Sequence, residues 1–150
     1  MSNCVFCAIV DGSAPARIVY SDDDVVAFLD IRPIRPGHTL VVPREHHARL
    51  DTLPPELSGK MFAAAQRIGT AMQQAPVGSG GTIADGVNLA LNDGRAAFQT
   101  VFHSHIHVVP RLRGDRISLA KGLVLRRDPD PDATADRLRT ALAGRAAEGS

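Results

Sequence analysis

His103, His105 and His107 alternate with Ser104 and Ile106, so half of the six histidines in this 150-residue chain crowd into one short stretch. Imidazole has an unperturbed pKa of about 6.5, and near neutrality it serves as nucleophile, hydrogen-bond donor or metal ligand. On an extended strand, alternate side chains share a face, with successive rings about 7 Å apart. The intervening Phe102, Ile106 and Val108 then point the other way, into a core. Each imidazole is costly to desolvate without a partner, so an apolar sheet face gives no reason for three of them. The row asks for a ligand, either a metal or an anion such as phosphate. One ion with ligands about 2.0–2.1 Å away is hard to reach from three rings splayed along a strand, which favours the anion.

Cys4-Val-Phe-Cys7 is the second chemically suggestive spacing. A thioredoxin-like redox pair would follow a strand and open a long helix, and neither is foreseen at this N-terminus. Two unrelated buried thiols are a second reading. The third is half of a zinc site, in which a tight knuckle supplies two thiolates and histidines complete the tetrahedron. With no further cysteine in the chain, the remaining ligands must come from distant residues.

The elements that must position these groups follow from pattern. Val5 to Val10 read as a short helix stopped by Asp11-Gly12. Arg17–Tyr20 and Val25–Leu29 are β-rich, and Ser21–Asp24 between them makes a turn, hence a hairpin. Asp30-Ile-Arg-Pro-Ile-Arg-Pro-Gly37 is a proline-stiffened loop leading into a strand over His38–Pro43. Thr52–Gln74 is the longest helical segment, with Thr52 as N-cap, prolines in the first turn, and Leu57, Met61, Ala65, Ile68 and Met72 at helical spacing. Pro76 and Gly78–Gly81 end it. Val87–Asn92 is a strand, Asp93-Gly94 a turn, and Thr100–Pro110 a further strand. Asp128-Pro-Asp-Pro-Asp132 is a stiff linker or cap before a helix over Ala133–Ala147. Short strands joined by turns, with helices segregated from them, indicate an α+β domain on an antiparallel sheet.

Composition narrows the function classes. A hydrophobic content of 44% over 150 residues suffices for one domain with a proper core, here taken as 1–150. The net charge of +1 gives no electrostatic footprint for nucleic acid or an anionic membrane. No apolar run approaches the roughly 20 residues that span a bilayer. The N-terminus MSNCVFCAIVDG lacks a charged n-region and a small-residue cleavage site, so a cytoplasmic location is expected. A disulfide framework is not expected from two cysteines.

The pattern His103-x-His105-x-His107-Val-Val resembles the signature of the histidine triad (HIT) family of nucleotide-binding proteins. Supporting stretches are Cys4-Val-Phe-Cys7, Ala27-Phe-Leu-Asp30, Pro36-Gly-His38-Thr-Leu-Val-Val-Pro43, Glu45-His46, Asn92-Asp-Gly94 and Gln99-Thr-Val-Phe-His103, covering roughly residues 4–111. The resemblance implies an antiparallel sheet of about five strands with a long helix, a short N-terminal helix and an appended C-terminal helix.

It also implies a chemistry. His105 attacks the α-phosphorus of a nucleotide, a nucleotidyl-histidine forms, the leaving group departs, and water releases the nucleoside monophosphate, an AMP-like purine nucleotide. His107 donates to a non-bridging phosphate oxygen, and no metal is needed at the phosphate. His38 sits behind the triad and orients a catalytic ring. Asp30 accepts from ribose hydroxyls with Phe28 and Ile31 beside the base, although an aspartate before a proline loop is often only a turn former. Asn92, Gln99 and Thr100 match positions that contact the phosphate and leaving group; Asn92-Asp-Gly94 alone is an ordinary turn signal. Some bacterial members of the family hold a structural zinc on two cysteines and two histidines, which here match Cys4, Cys7, His46 and His103. His47 is the competing ligand, and points the opposite way if the backbone is extended.

Two positions depart from the family pattern. Ser104 replaces a usual apolar residue, and its core-facing orientation suits a small side chain rather than a nucleophile. Phe98 stands where many relatives have glycine, which should reshape the loop near the phosphate or cover the site. A Hint-like phosphoramidase is favoured, a Fhit-like dinucleoside polyphosphate hydrolase is the alternative, and a nucleotide-binding module with weak catalysis is a third reading. Family members commonly form homodimers that extend the sheet; the alanine-rich face of Thr52–Gln74 is a candidate contributor.

Overall fold

The structure, a computed structural model, describes residues 3–78, 80–116 and 128–148. Residues 117–127 of the C-terminal tail and residue 79 of the Gly78–Gly81 loop lie outside that description. Five antiparallel strands form one sheet in the order β1-β2-β3-β5-β4. They are β1 (Ile18–Ser21), β2 (Val25–Leu29), β3 (Thr39–Pro43), β4 (Gly86–Leu91) and β5 (Ile106–Arg111). The helices are α1 (Val5–Asp11), α2 (Pro55–Met72) and α3 (Pro131–Glu148).

Alternation along the strands sorts the sheet into two faces. Val25, Ala27, Leu29, Val41, Ile106 and Val108 join Met61, Ala64, Ala65, Ile68 and Met72 of α2 in the main core. Val26, Phe28, Leu40 and Val42 on the opposite face pack with Phe6 and Ile9 of α1 in a smaller one. Register fixes which residues lie side by side: Phe28 pairs with Leu40, Leu40 with His107, and His107 with Ala90. That row crosses the face opposite α2, so His107 shares a surface with α1.

The sequence-derived elements stand with three corrections. First, α2 does not start at Thr52. Leu50–Thr52 form a separate 3-10 turn, and extended Pro54 precedes Pro55 as the first helical residue. A residue before proline is pushed out of the α region, which delays the helix. Thr52 Oγ1 instead lies 3.2 Å from His47 Nδ1. Second, the strand expected over Thr100–Pro110 begins only at Ile106. Pairing with both neighbours stops there, Val41 and Leu91 both being opposite Ile106, although β3 itself runs on to Pro43 beside β2, and the Ser104 N–H donates to the His47 carbonyl at 2.7 Å. Third, Phe102 is only half-buried, with the Arg95 guanidinium 5.5 Å from its ring centroid. Without strand geometry before Ile106, nothing forces its ring into the core. Ser104 is buried as expected, and its Oγ has no hydrogen-bond partner.

The two ends of the chain are tied in by caps. Gly12, at φ 86°, closes α1 in the left-handed conformation, its N–H donating to the Ala8 and Ile9 carbonyls. Asp130 caps α3, its carboxylate accepting from the Ala133 N–H at 3.1 Å, so the Asp-Pro run does act as a cap. Ala135, Leu138 and Leu142 bury α3 in the main core, and Arg139 donates to the Ile18 carbonyl at 2.8 Å. The alanines Ala64, Ala65 and Ala71 of α2 face this same core, so they are not free to contact a second copy.

Candidate active site and metal centre

Only His107 stands on β5; His105 and His103 lie on the irregular segment that leads into it. The three rings are therefore not evenly spaced rungs. His105 and His107 stack edge to face at 4.9 Å between centroids, closer than the strand estimate, while His103 turns toward α1 and its cysteines. Phe6 of α1 meets the His105 ring edge to face at 5.0 Å and Phe28 at 5.3 Å. Phe6 is a site residue that sequence reasoning passed over, because nothing distinguishes it from an ordinary core aromatic. Phe28, almost fully buried, backs the site from below.

Hydrogen bonds assign a proton position to each ring. His105 Nδ1 lies 2.7 Å from the His103 carbonyl oxygen, which can only accept, so Nδ1 carries the proton and Nε2 an outward lone pair. The Ile34 N–H donates to His38 Nδ1 at 3.1 Å, which leaves the His38 proton on Nε2. That Nε2 lies 2.9 Å from His107 Nδ1, so His107 accepts there and carries its own proton on Nε2. Burial pushes both His38 and His107 down to about 4, with repulsion from His105 adding to it, so both are neutral near pH 7. Burial also lowers His105, opposed by its bond to the His103 carbonyl. Two neighbouring imidazoles thus present opposite chemistry, a lone pair from His105 and an N–H from His107.

Asp30 ends this face beside His38, with its Oδ2 3.7 Å from His38 Nε2 and its Oδ1 accepting from the Arg32 N–H at 2.9 Å. Burial raises its pKa, partly offset by that bond and by the nearby histidines. Asp30 therefore shapes its own turn and keeps its second oxygen beside His38. A cavity of about 270 Å³ is lined by Asp30, Ile31, His38 and Gly37 among others, with Ile31 82% exposed as an apolar ledge.

Asp30, His38 and His107 are also close enough to share a metal ion. Tautomer chemistry opposes it. A metal on His38 Nε2 would move the ring proton to Nδ1, against the Ile34 N–H that already points there.

The loop from Asn92 to Thr100 borders the other side. Gln99 is buried, and its amide is committed to backbone: Oε1 accepts from the Gly94 N–H at 2.7 Å, and Nε2 donates to the Ala48 and Val101 carbonyls at 2.8 and 3.0 Å. It braces the loop with both amide hydrogens, leaving none for a phosphate. Thr100 is exposed and lines, with Val101, Phe102 and Val5, a groove of about 570 Å³. Asn92 is half-buried at the end of β4. Phe98 adopts φ 70°, ψ 23° and is 75% exposed. A left-handed residue explains a preference for glycine there. The loop keeps that shape around the phenylalanine, and the ring projects into solvent.

The four residues proposed for a metal converge. Cys4 Sγ and Cys7 Sγ lie 3.4 and 3.5 Å from His103 Nδ1, Cys7 Sγ lies 3.3 Å from His46 Nδ1, and the two Nδ1 atoms are 3.2 Å apart. Bond lengths of about 2.3 Å to sulfur and 2.0–2.1 Å to nitrogen put tetrahedral donors roughly 3.3–3.8 Å from one another. His103 Nε2 lies 2.7 Å from the Pro43 carbonyl, so its proton sits there and Nδ1 is bare. Burial holds His103 neutral, down to about 4. Burial pushes the Cys7 thiol up, with Cys4 adding to it. A bare His103 nitrogen, the His46 nitrogen beside it and two thiols packed this tightly fit a divalent cation. His47 points away, its Nε2 3.0 Å from Glu45 Oε1.

Known proteins agree with this geometry. The HIT domain family matches residues 11–114. An uncharacterized HIT-like protein of Mycobacterium tuberculosis is 52% identical over 140 residues, 93% of each chain. The adenylylsulfatase HINT3 of Arabidopsis thaliana is 35% identical over 122 residues, 81% of this chain and 59% of that protein. A zinc-bound histidine triad family protein from Mycobacterium smegmatis has a solved structure with TM-score 0.88 and 48% identity, covering 98% of both chains.

Proposed function

The chain belongs to the HIT family, whose members are in general nucleotide hydrolases or transferases, and from that premise we propose that it cleaves an AMP-like nucleoside monophosphate from an amine leaving group. The observation that carries the reading is the opposite polarity of His105 and His107. The His105 Nε2 lone pair attacks the α-phosphorus, forming an N–P bond as the bond to the leaving amine breaks, and the amine takes a proton from water. Positive charge that develops on His105 is met by its Nδ1–H bond to the His103 carbonyl. The His107 Nε2–H stabilises the charge on a non-bridging oxygen in the transition state. The hydroxide left when water protonated the amine then attacks the phosphorus and breaks the N–P bond, releasing the monophosphate and returning the electron pair to His105 Nε2.

The nucleoside occupies the cavity beside Asp30 and Ile31, with the carboxylate accepting from ribose. The leaving group lies along the groove at Thr100, and Asn92 contacts the phosphate. Cys4, Cys7, His46 and His103 hold a structural zinc, which when bound cross-links α1 to the segment carrying the nucleophile. A homodimer would form through β4, whose outer edge is unpaired among the described residues.

Steady-state turnover of an adenosine 5′-phosphoramidate against a diadenosine polyphosphate tests the reading. We expect the phosphoramidate to be preferred, and His105→Ala to lower kcat at least about 10³-fold while AMP still binds. Preference for the polyphosphate would shift the assignment to the Fhit-like class. Full activity in His105→Ala would remove the mechanism.

A further inference from the structure

We propose that the backbone N–H of Ile34 is a positioning group for the transfer reaction: by selecting the tautomer of His38 it sets which nitrogen of His107 presents a proton to the phosphate. The inference deepens the proposed function and rests on it for the role of His107, but not for the geometry.

The logic is one of proton counting. A neutral imidazole has one N–H and one lone pair. Both nitrogens of His38 are engaged, Nδ1 with the Ile34 N–H at 3.1 Å and Nε2 with His107 Nδ1 at 2.9 Å. Of these three groups only the amide has a fixed role, because a backbone N–H always donates. The His38 proton must therefore be on Nε2, the His107 lone pair on Nδ1, and the His107 proton on Nε2. Reversing His107 would place two lone pairs or two protons against each other at one of the contacts. Burial keeps both rings neutral, so protonation offers no escape near pH 7.

The amide is held in place by a loop with little freedom. Pro33 and Pro36 flank Ile34 and Arg35, and each fixes its own φ. The His38 N–H donates to the Arg35 carbonyl at 3.0 Å, and the Asp30 N–H to the His38 carbonyl at 2.9 Å. Gly37 sits at φ 100°, and a Cβ there would meet Ile83 Cγ2 at 2.9 Å, so the loop is pressed onto the core. Between the two prolines only Ile34 and Arg35 have amide hydrogens to offer, and the one on Ile34 points at His38. The same loop carries Asp30 and Ile31, so the residues proposed for the nucleoside and the donor that sets His107 share one rigid piece.

The test replaces the Ile34 amide by an ester, using the α-hydroxy analogue of isoleucine at position 34, and keeps Ile34→Ala as a control that retains the N–H. ¹⁵N spectra of the histidine rings report the tautomers. In the unaltered chain we expect His38 protonated at Nε2 and His107 at Nε2, and Ile34→Ala to match. In the ester both rings should show mixed tautomers, with kcat for the phosphoramidate lowered roughly two- to tenfold and KM little changed, the range given by one net hydrogen bond. Tautomers unchanged in a folded ester variant overturn the inference. Should the ester variant not fold, trans-hydrogen-bond N–N couplings in the unaltered chain decide between the same outcomes. Coupling from the Ile34 amide to His38 Nδ1 supports the inference, and a His107 protonated at Nδ1 refutes it. A chain with these tautomers that is inert toward nucleotides would refute the proposed function and leave the relay standing.

Discussion

Acid should cost this protein stability through His38, and the size of the effect follows from its burial. His38 is 2% exposed, and desolvation lowers its pKa from 6.5 to about 4. Between those values the unfolded chain binds a proton that the folded chain does not. Stability from this group is therefore complete above about pH 6.5 and is lost as pH falls toward 4. At pH 5 the unfolded imidazole is almost wholly protonated and the folded one about one-tenth so, a binding ratio of roughly thirty that amounts to about 2 kcal/mol. His38→Gln removes the titration but keeps a side-chain N–H able to reach His107. Urea unfolding of both proteins at pH 8 and pH 5, with equal zinc, gives a double difference in which the histidines away from His38 cancel and the coupled His38–His107 pair remains. The unaltered chain should lose about 2 kcal/mol more than His38→Gln on going to pH 5. Equal losses, within about 0.5 kcal/mol, would refute the claim that a neutral His38 is enforced by burial.

Phe98→Gly should raise the urea midpoint, by up to about 1 kcal/mol in stability, since a left-handed non-glycine residue carries about 1–2 kcal/mol of strain and glycine returns part of it as chain entropy. Phe98→Ala, which keeps the Cβ, should show no such gain. Gln99→Ala should cost about 2–3 kcal/mol on chemical unfolding, because it strands a buried amide hydrogen and two carbonyls; a change confined to KM would instead make Gln99 a substrate contact. Metal analysis of the purified protein should find about one zinc per chain, falling below half in Cys7→Ser, with a lowered Tm after chelation. Full metal content in that variant would move the ion elsewhere.

Fold and site were legible to different depths in the sequence. Strand alternation and turn residues located β1, β2 and β3 because each is a short apolar run bounded by Asp, Pro or Gly, and Gly12 marked the end of α1. The beginning of β5 was not legible. Whether Thr100–His105 forms ladder hydrogen bonds depends on tertiary pairing: β4 ends at Leu91, and although β3 runs to Pro43 its pairing with β5 stops at Val41, where the Ser104 N–H turns to the His47 carbonyl instead. Gln99 was misread for a similar reason. A glutamine beside a catalytic segment looks available, and only the fold shows that the Gly94 amide and the Ala48 and Val101 carbonyls already occupy it. That Cys4, Cys7, His46 and His103 come together was legible from spacing plus family resemblance, and the nitrogens that His46 and His103 turn toward one another were not.

Proton placement lies furthest from the sequence, and under the proposed mechanism it is what separates three histidines of one motif into three roles. Each ring is sorted by the backbone group behind it. The Pro43 carbonyl takes the His103 proton and bares Nδ1 toward the cysteines. The His103 carbonyl takes the His105 proton and bares Nε2. The Ile34 N–H, acting through His38, does the reverse for His107 and leaves it a donor. Carbonyls in the first two cases and an amide in the third account for two lone pairs and one N–H. The residue at 103 also joins the two clusters, since its ring faces the cysteines while its carbonyl fixes the His105 tautomer. Displacing the His103 ring from Cys4 and Cys7 must therefore act on His105 through one peptide unit, without any contact between the cysteines and the His105 ring.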